Sequence, residues 1–132
     1  MIFPIAAAVL AAQATPADIA TVPAQFIGRY EAEARHCRVP LKVRDDDEAS
    51  EGQGGALVLV DKRAVHFVQW DWPVKSVTPV AKDAVSLELI NDVDADGKKI
   101  EIVRYELKLR GKFLIMTDHR HAAQYYRCNY GS

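Results

Sequence analysis

Three short constellations in this 132-residue chain carry side chains capable of chemistry: Trp70-Asp71-Trp72-Pro73, Asp92-x-Asp94-x-Asp96-Gly97, and His119-x-His121 beside Asp118. Two indoles on one face of a strand end offer flat surfaces on which a ligand or partner stacks, although indoles so placed also serve as core or rim packing. Carboxylates at alternate positions, followed by a glycine for the sharp turn, form the first half of a loop that wraps Ca2+. The twelfth position of that loop is Val103, where a bidentate Glu belongs, and both flanks read as strands. A solvated hairpin loop is therefore the preferred reading, with Ca2+ held by Asp92, Asp94 and Asp96 as the secondary one. The two imidazoles are spaced to face one side, as zinc or copper requires, but no third ligand lies near in sequence. Trp70, Trp72, His119 and His121 stand as the candidate ligand-binding residues.

Catalysis finds little footing. The chain has no Gly-x-Ser-x-Gly elbow, no His-Glu-x-x-His and no glycine-rich phosphate loop after a strand. His36 beside Cys37 suggests a thiol nucleophile, but a disulfide would consume the thiolate. The expectation is that the protein is not an enzyme.

Residues 1–14 are uncharged, almost wholly apolar, and end in Ala12-Gln13-Ala14, the small-x-small pattern cut by signal peptidase. The basic n-region is missing, since the first Lys or Arg is Arg29, so either the true start codon lies upstream or the segment is something else, such as a buried N-terminal strand or helix. The run is too short for a membrane span, which needs about 20 apolar residues. The expected organisation is a signal peptide over 1–14 and one domain over 15–132, periplasmic or secreted and monomeric. Export would place the only two cysteines, Cys37 and Cys128, in an oxidising compartment where they bond. With 17 basic and 18 acidic residues, the net charge of −1 gives no global attraction to nucleic acid or anionic membranes.

The elements that must position these residues have a period of two. Over 25–35, Phe26, Gly28, Tyr30, Ala32 and Ala34 alternate with Ile27 and four charged residues, the pattern of a half-buried strand. Past His36 the phase flips to Val39, Leu41 and Val43, so a bend near Cys37 within one continuing strand is expected. Further strands are expected over 56–60, 64–70, 74–80, 85–89, 103–109, 113–117 and 122–128, rich in the residue types that strands prefer. Only 17–25 has the composition for a short helix. Short turns fall at 61–63, 81–83 and Gly111, and longer links at 45–55, 70–73, 91–98 and 118–121.

Eight antiparallel strands at short spacing make an all-β up-and-down barrel, with a β-sandwich as the alternative. Cys37 and Cys128 lie near the two ends of the mature fold, and first and last strands are neighbours in a closed barrel. Counting from Arg44 and His121, the cysteines come to one height, as a bridge requires, and Arg127 comes opposite Arg38. Links after odd strands gather at one end. That end would hold both tryptophans, His119, His121 and an acidic rim of Asp45, Asp46, Asp47, Glu48, Glu51, Asp92, Asp94 and Asp96, favouring cationic partners at low salt.

A first strand reading Phe26-Ile27-Gly28-Arg29-Tyr30, in a small exported β-meander with a terminal disulfide, resembles the lipocalin-like (calycin) barrels. Those begin with a Gly-x-Trp strand, here Gly28 and Tyr30, and carry a late-strand arginine over that aromatic, for which Arg127 is the nearest counterpart. The outline also suits short exported inhibitors of secreted proteases. Two functions are therefore expected. One is an exported binding barrel for a small, partly apolar ligand, with Gly28, Ala32 and Ala34 leaving room inside. The other is an interaction protein or inhibitor that docks to an exported enzyme through the same loops, with Phe67, Tyr105, Leu107, Leu109 and Phe113 filling the interior.

Overall fold

The computed structural model describes residues 21–42, 57–67, 70–92 and 99–130. The leader 1–14 and most of the acidic links (45–51, Asp94 and Asp96) lie outside them. The fold is a closed barrel of eight strands in sequential order, each antiparallel to the next, with β8 returning to β1. The strands are β1 Gly28–Glu31, β2 Leu57–Val60, β3 Ala64–His66, β4 Asp71–Ala81, β5 Ala84–Asp92, β6 Ile100–Arg110, β7 Phe113–Thr117 and β8 Ala122–Arg127. The sandwich alternative is thereby excluded.

Alternation decides which side chains enter. Val85, Leu87 and Leu89 of β5 pair with Leu107, Tyr105 and Val103 of β6 on the inner face, while Ser86, Glu88 and Ile90 look outward. Leu87, Leu89, Leu107 and Leu114 are completely enclosed, each such side chain contributing about 1.5–3 kcal/mol of hydrophobic stabilisation. The tight β6–β7 turn uses Gly111 at φ 56°, a left-handed conformation that a side chain would disfavour. Phe113 takes the outer parity and packs on Tyr126, with ring centroids 5.0 Å apart, so it does not fill the interior as expected.

The first strand differs most from its expectation. It ends at Glu31, and Ala34–Arg38 forms a 3₁₀ segment instead of continuing past a bend. Ala32 and Ala34 are exposed and leave no room inside. The chain doubles back as a strap over the outer wall of β1. Arg29 pins it there, donating to the carbonyls of His36 (2.7 Å) and Val39 (2.6 Å) and to the Glu31 carboxylate (2.8 Å). Glu31 and its register partner Leu57, both on the outer face, are sealed beneath this strap. An outward carboxylate is buried here because a guanidinium neutralises it.

Cys37 and Cys128 are bonded across a sequence separation of 91, but Cys37 sits in the strap and not in a strand. The expected register was therefore wrong: Arg127 lies opposite Tyr30, not Arg38. The β1–β8 seam has only two paired positions, Tyr30↔Arg127 and Glu31↔Tyr126. The disulfide and the Cys128 N–H donated to the Arg29 carbonyl (2.9 Å) reinforce that short seam.

A second 3₁₀ turn, Ala24–Phe26, precedes β1 and crosses one end of the barrel. Its Phe26, with Val22, is buried in the central core. The Val22 N–H bonds the Lys62 carbonyl (2.8 Å) in the β2–β3 turn, and Gln25 Nε2 bonds the Lys82 carbonyl (2.9 Å) in the β4–β5 turn. The third short turn is tied by Arg127, whose guanidinium donates to the Gly111 carbonyl (2.7 Å) and lies 4.7 Å over the Tyr130 ring. Tyr30 donates to the Phe26 carbonyl (2.6 Å), and burial pushes its phenol up to about 12 against the opposing pull of Arg127. This end is plugged and laced. Among the described residues no helix is long and apolar enough to cross a membrane.

Candidate functional site

The opposite end is built differently. Alternation brings Phe67, Trp72, Tyr105 and Tyr125 to the inner side, where all four stay half-buried against the central core. The β3–β4 hairpin carries the first two and closes with the Phe67 N–H donating to the Trp70 carbonyl (2.7 Å). Phe67 meets Trp72 edge-on at 5.1 Å and Tyr105 at 6.2 Å, so three rings from the β3–β4 hairpin and β6 form one aromatic wall. Such contacts fix ring orientation beyond simple area burial.

The two phenols add polarity to this wall. Burial raises the pKa of Tyr105, with the Asp118 carboxylate adding to the effect, and burial likewise raises Tyr125, with Tyr105 adding. Both therefore remain neutral hydroxyls across the physiological range, able to donate and accept. Neither has a hydrogen-bond partner among the described residues.

The β7–β8 link beside them is compact. Asp118 accepts backbone N–H bonds from Arg120 and His121, each 2.7 Å, and its own N–H meets the His121 carbonyl at 2.9 Å. Those two N–H donors hold the Asp118 carboxyl below its ordinary value. His119 and His121 project from this link into solvent, the latter 3.9 Å from Asp118.

The four residues expected to bind a ligand thus separate. Trp72 turns into the aromatic wall, whereas Trp70 stays at the rim with 56% of its surface exposed. The stretch 70–73, expected as a link, is mostly strand: Asp71, Trp72 and Pro73 pair with His66, Val65 and Ala64. Asp92 is the last residue of β5, while Asp94 and Asp96 lie outside the described residues. Among the described residues no cluster of His, Cys, Asp or Glu is arranged to hold a metal.

Sequence reasoning missed two features. Tyr125 was visible as an inner-parity aromatic of β8 but was not considered part of a site. His66 lies on the outer wall with Nδ1 2.6 Å from Asp71 and Nε2 2.7 Å from Asp61. The five-residue spacing on either side of His66 was the available signal, because short hairpins fold such positions back onto one another.

Comparison of the chain with protein families, with curated proteins and with solved structures yields no match.

Proposed function

We propose that this protein is an exported, lipocalin-like binding barrel that admits a small, partly apolar ligand at the end lined by Phe67, Trp72, Tyr105 and Tyr125. The observation that carries the reading is the contrast in sealing. Phe26 and Val22 plug one end, whereas the other presents half-buried rings and two neutral phenols without partners among the described residues. Apolar walls with a few convergent polar groups are the ordinary composition of a small-ligand site. The rings would take the apolar body of the ligand, and the phenols would orient one polar group on it. Arg127 opposite Tyr30, two residues after Gly28, supports the lipocalin-like resemblance. The disulfide supports an oxidising compartment such as the periplasm.

The alternative, an interaction protein docking to an exported enzyme, draws support from Trp70, a large aromatic left exposed at the rim. Native mass spectrometry of protein purified from its own periplasm separates the two. A small-molecule adduct that is lost in Tyr105→Phe is expected for the binding barrel. A stoichiometric protein complex weakened by Trp70→Ala would replace that reading with the docking one.

A further inference from the structure

We propose that His66, clamped between Asp61 and Asp71, is a proton-operated latch on the β3–β4 hairpin that carries the aromatic wall. A carboxylate only accepts hydrogen bonds, and a neutral imidazole has a single N–H with a lone pair on its other nitrogen. Here both ring nitrogens stand at hydrogen-bond distance from carboxylate oxygens, Nδ1 at 2.6 Å from Asp71 and Nε2 at 2.7 Å from Asp61. Only the imidazolium satisfies both contacts. Removing its proton sets a lone pair against a carboxylate oxygen at one of them, and that contact opens.

The three residues belong to different pieces of the wall. Asp61 is in the β2–β3 turn, His66 ends β3, and Asp71 begins β4 as the register partner of His66. Strand β3 is only three residues long, so it has few ladder bonds of its own. Asp71 lies between the chain's only two tryptophans, and Phe67 follows His66 directly. The clamp therefore grips both ends of the shortest strand at the place where the mouth rings are attached.

Among the described residues that line the outer groove of about 700 Å³ beside this trio, the other charged group is Arg29 of β1. Its guanidinium is engaged by Glu31 and by the His36 and Val39 carbonyls. It leaves the two carboxylates to set the charge felt by His66. Partial burial opposes the charged ring, but the hydrogen bonds and charges of Asp71 and Asp61 outweigh it and raise the pKa of His66. A group whose folded value is raised stabilises the fold fully below its unfolded value, about 6.5 for histidine, and loses that contribution as pH rises through the folded value. The latch is closed in acid and opens towards the alkaline side.

The latch concerns the hairpin itself, so it is tested in the ligand-free protein and stands apart from the binding proposal. Ring-nitrogen NMR should show His66 doubly protonated to a pH above the ordinary histidine value of about 6.5. Asp61→Asn and Asp71→Asn should each bring its midpoint down towards that value. Exchange protection of the Phe67 amide, corrected for the intrinsic rate, should fall several-fold through the His66 midpoint and become independent of pH in His66→Gln. A His66 midpoint at or below about 6.5 would overturn the latch. So would midpoints unmoved in the Asn variants, or Phe67 protection that stays level through the transition.

Discussion

At the end where β1 begins, the chain crosses beneath the barrel, drops Phe26 and Val22 into the core and laces three short turns to its own flanks. At the other end, the two described hairpin closures, Phe67 to Trp70 and Asp118 to His121, bond within themselves and leave aromatic rings half-buried. The disulfide and the Arg29 fork also lie towards the plugged end, where β8 finishes. A barrel this small needs one end sealed to keep water from its core, and once that is done the other can be left for a ligand. Stability resides at the plugged end, and on the proposed reading binding belongs to the mouth, a division that substitutions can break.

The largest effect is expected from the disulfide. In the chain-entropy model a closed loop of about 90 residues contributes about 4–5 kcal/mol. Urea unfolding with and without reductant should show a loss of that order, and alkylation of unreduced protein should add no mass. A loss below about 1 kcal/mol would mean that the strap and the β1–β8 seam hold without the bridge.

Phe26→Ala comes next. The side chain is 1% exposed, and its removal leaves a cavity under the barrel for an expected loss of about 3–5 kcal/mol. Denaturant titration reads this directly. A cost near zero would show that the end is not sealed by this ring, and the contrast between the two ends would collapse.

Trp70→Ala should produce the smallest change in stability, within about 0.5 kcal/mol, because the indole is mostly in water. The same variant sharpens the comparison if it alters binding while leaving the unfolding midpoint in place. A large destabilisation would make Trp70 a structural rim residue and remove it from the mouth.

Much of the barrel was legible because period-two alternation is enforced wherever one face must be buried. Strands β5, β6 and β7 follow it with Val, Leu and Met inside, and β7 spans the expected 113–117. The same pattern misled at 32–38, where the inward-parity residues are Ala32 and Ala34. Alanine buries too little to hold a strand against a competing contact, and the Arg29 fork captures the backbone as a strap. At 70–73 the departure runs the other way, from an expected link to strand. Pro73 sits within β4 beside a register shift between Val74 and Ser76, where a missing donor costs little.

The sequence by itself determined an all-β chain, eight strands, the short turns at one end and the identity of the disulfide pair. Each follows from local rules: alternation, turn chemistry, and two cysteines with no other partner. Tertiary structure alone decided how the disulfide is reached, which carboxylate is buried, which rings share a wall and what clamps His66. Those depend on contacts between residues far apart in the chain or on opposite sides of a turn. There, a single guanidinium or imidazole chooses among backbone paths that alternation leaves equally acceptable.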